Sequence, residues 1–214
     1  MKRRELLAGA GGLAAVGTAG CLGVVGLDEH EATPAGVEAS VRDETGYEQV
    51  DIEEAVVERT FEIAGTSQEV RVTNYLTEHE KAIDLGPLGS VRAAAFALLT
   101  SPQISIAGQG LNPIADMSSE ELIGQIEADF DAINDPEHVA DETVSLLDQE
   151  TTGSLFEAEA EFEGMTVDVN IHITESVRTA DDHLVTIGVY PVPVQEVEED
   201  NIAALRSGIV ERIE

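Results

Sequence analysis

The sequence predicts an α+β domain: a mostly antiparallel sheet of six or more strands with amphipathic helices packed on it, built as a βββα pseudo-repeat. Three observations predict it. Residues 91–99 and 183–190 are almost continuously apolar, as strands covered on both faces must be. Alternating stretches stand before each of them, with Val57, Phe61 and Ile63 set between Glu58, Thr60 and Glu62. Residues 118–133 and 202–213 place apolar groups at helical spacing. A length of 214 residues fits one domain, assigned to 33–214.

The chain opens MKRRELLAGAGGLAAVGTAGCLG. Lys2, Arg3 and Arg4 form a short basic region, and Leu6–Gly20 is weakly apolar and rich in glycine. Those fifteen residues fall short of the ~20 a spanning helix needs. Arg3-Arg4 followed by this stretch resembles a twin-arginine export signal. Thr18-Ala19-Gly20-Cys21 resembles a lipobox, with Thr18 where Leu is usual. The expectation is removal of residues 1–20 and a lipid on Cys21, the single cysteine of the chain. A general secretory signal cleaved elsewhere, with Cys21 incidental, is the alternative.

Residues 21–32 follow as lipidated cysteine and tether, broken by Gly23 and Gly26. Thr33-Pro34 reads as the start of a helix that stops at Gly46, with Val37 and Val41 on one face. A first hairpin turns at Gly65–Gln68 and returns through Val70, Val72 and Leu76. A Gly86-Pro87-Leu88-Gly89 loop leads to the apolar strand 91–99, which Pro102 ends; residues 103–114 are loop or short edge strand. Ser118 and Glu121 form a capping box for a helix carrying Leu122, Ile123, Ile126, Phe130 and Ile133, stopped at Asp135-Pro136. Residues 144–147 make a short strand. A second hairpin, 155–162 with 166–174, turns at Gly164-Met165. The strand 183–190 and a helix bearing Ile202, Leu205, Ile209 and Ile213 complete the second half. This order is similar to that of PsbP/Mog1-like α/β/α sandwiches, a likeness of pattern that implies no function.

The chain carries 11 Lys+Arg against 43 Asp+Glu, net −32, and no tryptophan. A nucleic-acid partner is excluded, since counterion release needs a basic stripe. One cysteine excludes a disulfide framework and a thiolate zinc site. The apolar content, 43%, argues against disorder. Beyond the leader only Lys81 remains as lysine, and the acids run through nearly every segment. That pattern fits a protein of concentrated brine, where molar salt cuts the Debye length to ~3 Å and screens self-repulsion. A cation- or partner-binding acidic surface is the other use of such charge.

The whole chain resembles a family of haloarchaeal twin-arginine lipoproteins catalogued only as a domain of unknown function. The resemblance rests on KRRELLAGAGGLAAVGTAGCLG, ATPAGVEASVRDETGY, EVRVTNYLTEHEKAIDLGPLG, and TVDVNIHIT with VTIGVYP. It implies export, a lipid anchor and a location on the outer face of the cell membrane, and supplies no catalytic residue.

No phosphate loop, GxSxG elbow, HExxH helix or Asn-x-Ser/Thr sequon occurs, so no catalytic residue, cofactor or metal ligand is assigned. Three acidic clusters stand out in the sequence. Asp28-Glu29-His30-Glu31 reads as a solvated linker. In Glu78-His79-Glu80-Lys81, alternation sets His79 on the face opposite the two glutamates. In the second hairpin, Glu161 is expected opposite Asp168, Glu159 opposite Asn170 and Glu157 opposite His172. That would make a water-facing acidic ribbon covered by no helix and suited to diffuse counterions. The loops holding Gly86, Pro87, Leu88 and Gly89, and Asn112 with Pro113, are the candidate recognition surfaces; plain turn geometry explains the same residues. The expected function is a lipid-anchored, non-catalytic binding or envelope-assembly module with a protein or small-ligand partner. The alternative is an exported hydrolase with a site assembled across the two halves.

Overall fold

The computed structural model describes residues 28–63, 66–84, 89–106, 109–110, 112–115, 117–129, 133–162 and 165–213. The residues expected to form the export signal, the expected lipid site Cys21, the expected tether as far as Leu27, and Gly86, Pro87 and Leu88 lie outside them. In chain order the elements are β1 (Asp28–Glu31), β2 (Gly36–Val37), α1 (Ala39–Thr45), β3 (Glu48–Ile63), β4 (Thr66–Asp84), β5 (Ser90–Pro102), β6 (Ser105–Ile106), β7 (Gln109–Gly110), α2 (Ser119–Asp129), β8 (Ile133–Leu146), β9 (Gln149–Phe162), β10 (Met165–Thr174), β11 (Val177–Arg178), β12 (Asp182–Pro191), α3 (Gln195–Ser207) and β13 (Ile209–Val210). Short 3-10 turns stand at Pro113–Ala115 and Val192–Val194.

The expected α+β class is corrected: the chain is mostly β. Among the described residues the three helices have 7, 11 and 13 residues, whereas β3, β4, β5, β8 and β9 have 16, 19, 13, 14 and 14. Nine strands share one mixed sheet, ordered β1-β4-β5-β12-β10-β9-β8, with β3 on the other side of β4 and β11 beside β12. β1 runs parallel to β4 and the remaining pairs are antiparallel. A hairpin and a third strand do occur in each half, and the third strands, β5 and β12, meet at the centre. The halves are not equivalent, because β8 adds an outer strand to the second that the first lacks.

Several elements depart from expectation for local reasons. Asp28–Glu31 is no linker: it pairs with Val70–Thr73, and Tyr75 Oη donates to Glu31 at 2.6 Å. The first helix begins at Ala39 and not at Thr33, because Gly36–Val37 is taken up by pairing with Ile209–Val210. Its end at Gly46, φ 79°, is the left-handed cap expected. Ser118 and Glu121 close the capping box, with Glu121 N 3.3 Å from Ser118 Oγ and Ser118 N 3.0 Å from Glu121 Oε2. The α2 helix then stops at Asp129, and Ile133 opens β8 instead of closing the helix. Asp135-Pro136 sits in a bulge of that strand, between Asn134 and Glu137. Ile209 likewise belongs to β13 and not to the last helix.

The sheet buries both faces over its middle. Under α1 and α3 lie Tyr47, Phe96, Leu98, Leu184 and Tyr190 with Ile202 and Leu205. On the opposite face Leu122 and Ile123 of α2 meet Phe156, Val169, Ile171, Ile173 and Val185. Gly188 lets α3 come this close: a Cβ there would stand 2.8 Å from Ile202 Cδ1.

Candidate functional site

One register row crosses seven strands: Glu48, Glu80, Ala95, Val189, Ile171, Phe156 and His138. Two clefts, each of about 360 Å³, lie beyond this row at the same end of the sheet. The first is lined by Ala82, Ile83 and Asp84 of β4 and by Pro193, Val194, Glu196, Val197 and Glu198 at the start of α3. The second is lined by Asp135 and Glu137 of β8, Glu157, Ala158 and Glu159 of β9, Asp168 of β10, and Val192. The segment Val192–Val197 is the ridge between them: Val192 lines the second cleft, and Val194 with Val197 of α3, the latter 60% exposed, lines the first. Both linings consist of carboxylates and apolar groups. Such a surface suits apolar and cationic groups, and no hydroxyl, thiol or imidazole side chain stands in either lining.

One wall of the first cleft is held by an ion pair between half-buried Lys81 and buried Glu198. Glu198, 2% exposed, receives Lys81 Nζ at 2.7 Å on one oxygen and Tyr47 Oη at 3.0 Å on the other. The ammonium also stands 5.6 Å over the Tyr47 ring. Burial, then the Glu198 charge, pushes the Tyr47 phenol far above its usual range, so it stays a donor. This network ties α3 to β4 and to the connection between α1 and β3. Its sequence signal was Lys81, the one lysine beyond Lys2; Glu198 had none, since it stands among other acids.

The acidic hairpin keeps the expected faces with a shifted register. Met165 opposes Phe162, so Glu159 faces Asp168, Glu161 faces Thr166 and Glu157 faces Asn170. The two-residue connection is Glu163-Gly164, outside the described residues. Glu157, Glu159, Glu161 and Asp168 are exposed. The expectation that no helix covers the ribbon is corrected at its inner end. Asn170 is buried, and His172 stacks on Tyr190 with Nε2 2.7 Å from its hydroxyl, close enough to α3 to feel the charges of Glu199 and Arg206. Desolvation there lowers the His172 pKa. Among the described residues no group of three or more His, Cys, Asp or Glu is gathered for a metal ion.

The two candidate recognition loops do not share a surface. Gly89 is exposed at φ 78° next to the first cleft, following Asp84 across the segment that holds Gly86–Leu88. Asn112 and Pro113 lie past the other end of β5, some 40 Å away at ~3.3 Å per residue over its 13 residues. Asn112 is buried and committed inward: Nδ2 donates to Ser101 Oγ at 2.8 Å and to Pro102 O at 2.7 Å, and Oδ1 accepts from Ile114 N.

Two serine–histidine groupings test the hydrolase alternative. His138 Nε2 and Ser154 Oγ each lie 2.7 Å from Asp141 Oδ1, so the acid stands between them, and these bonds hold the Asp141 carboxyl below its usual range. A nucleophile needs the imidazole beside it. Ser176 Oγ is 3.1 Å from His183 Nδ1. Neither grouping lines either cleft.

Residues 34–210 match DUF6517, a domain of unknown function. The chain belongs to the DUF6517 family. No curated protein matches it. The match spans α1 to β13 and so includes both clefts of this DUF6517 domain. Among its described residues no helix is long and apolar enough to cross a membrane.

Proposed function

We propose that this DUF6517 protein is a lipid-anchored module on the surface of a halophile, bound to the membrane through Cys21, and that it binds a partner or joins an envelope assembly without catalysing a reaction. The observation that carries the proposal is the placement of the clefts. Asp28, the first described residue after Cys21, is level with Val70 of β4. The first cleft begins at Ala82, twelve residues along, and ends at Asp84. At ~3.3 Å per residue that is about 40–46 Å. A tether from Cys21 to Asp28 reaches about 25 Å at most. The arrangement presents both clefts and the Val192–Val197 ridge away from the anchored end. An exposed apolar ridge within a charged rim has the anatomy of a contact surface.

A photo-crosslinking residue placed at Val197 in intact cells tests the binding surface, with Glu150 at the opposite end of β9 as control. A discrete heavier adduct at Val197, absent at Glu150 and weakened by Glu196→Lys, is expected. Equal labelling at both sites, or no adduct at Val197, contradicts the proposal.

A further inference from the structure

The two outer strands of the sheet are guarded differently. Over 134–140, β8 carries Pro136, a positive φ of 50° at Asp135 and two register breaks, devices that stop any strand from pairing there. β3 has no proline. It has one break, between Gln49 and Asp51, and then runs in unbroken register with β4 from Asp51 to Ile63. Among the described residues it pairs only with β4, so its other side offers a row of backbone donors and acceptors. Of the seven large hydrophobics that stand exposed among those residues, four lie on it: Val50, Ile52, Val56 and Val57. What guards this edge is charge. β3 holds six acids, more than any other described strand, against one arginine and no lysine. Proline and bulges refuse every strand, whereas carboxylates refuse only strands of their own sign.

We propose that β3 over residues 51–58 is an edge for strand addition, and that its occupant is an extended, lysine- or arginine-rich segment of a partner protein. Main-chain bonds along the edge supply affinity, and side chains supply selection. By alternation the acids fall on both faces. Glu54 and Glu58 share one face with Ile52 and Val56, and Asp51 and Glu53 share the other with Ala55 and Val57. The strand that fits sets cations opposite these four acids and β-branched residues between them. The neighbour on the inner side adds to the negative field. Asp51 stands directly opposite Glu78, and Glu48 opposite Glu80. Burial, then the charges of Glu80, Asp51 and Glu53, raise the Glu78 pKa. Arg71 reaches Glu58 at 3.8 Å and Arg92 reaches Glu48 at 3.9 Å, both toward the ends of the stretch. Glu53 and Glu54, in the middle, carry the selection. A second copy of this chain brings more carboxylates to the same edge and is refused.

Titration of the full chain in molar KCl with a synthetic strand reading KVVTKKVK tests the edge. At that salt the Debye length is ~3 Å, so only cations set directly against the acids count. Saturable binding is expected, with slowed amide exchange over 51–58. The peptide KVPTKKPK keeps every charge but lacks two ladder N–H groups, and EVVTEEVE keeps the strand but reverses the charge. Each should bind about tenfold more weakly or worse. Glu53→Lys with Glu54→Lys should reverse the preference in favour of EVVTEEVE. Glu150→Lys with Glu211→Lys, the same change of charge away from the edge, should leave it as it was. No saturable binding of KVVTKKVK overturns the proposal. Equal binding of KVPTKKPK overturns it as well, since charge alone would then hold the peptide. Both peptide results are read on the parent protein, so they stand even where a variant fails to fold. Neither bears on lipid anchoring or on the cleft surface.

Discussion

His79 is fully buried, with Nδ1 3.1 Å from Phe96 O and Nε2 without a partner. Desolvation drives its pKa down to about 4 from 6.5. The unfolded chain therefore binds more protons than the folded one between those values. The stability this residue contributes is complete above pH 6.5 and is lost as pH falls toward 4, up to about 3 kcal/mol. Denaturant melts at pH 4.5 and 7 should show a smaller pH difference for His79→Leu than for the parent. An unchanged difference places the acid sensitivity elsewhere. Glu198 is the second buried polar group of consequence. Glu198→Gln leaves Lys81 without its partner and should cost about 2–4 kcal/mol in the same melts. Pairing Lys81→Met with Glu198→Leu should cost less than Glu198→Gln alone, because no uncompensated charge is left behind.

At the level of elements, α3 lies on the sheet only because Gly188 leaves room for Ile202. Gly188→Ala should cost about 1–3 kcal/mol and release α3 first, read as early amide exchange over 195–207. The β8–β9 hairpin turns through Leu147 and Asp148, φ 50° and 59°. Positive φ at both centres is the primed turn that glycine serves best. Asp148→Gly should raise stability by up to about 1 kcal/mol, and a lower melting temperature would show the aspartate to be needed there. The capping box and the Gly46 stop were legible because each is a local pattern with one geometric outcome. The end of β8 was read as the short strand 144–147, but β8 before Val144 and the start of β3 were not legible. Edge strands with water on both faces lose the alternation that marks a strand, so Asn134-Asp135-Pro136-Glu137 read as a helix stop and Glu48–Val56 as unassigned chain. The clefts were invisible for a related reason. Their walls join β4 to α3 and β8 to β10, across more than a hundred residues in the first case and about thirty in the second, and their residue types are those the chain carries everywhere.

Across the whole molecule the excess of acid decides the conditions of folding. A net charge of −32 on the 214-residue chain repels itself in dilute buffer and is screened in molar salt. Circular dichroism over a KCl series should show a melting temperature that rises steeply from millimolar to molar salt. A flat response would mean the acids serve a bound cation or partner and not the solvent. The placement of the clefts has meaning only if the other end of the sheet is tied down at Cys21, which makes the anchor the central claim. Membrane fractionation of cells expressing the parent and Cys21→Ser tests it most directly. The parent should sediment with membranes, and the variant should appear in the medium or accumulate with its leader uncleaved. A Cys21→Ser protein that is processed and fractionates with membranes as the parent does would contradict the account.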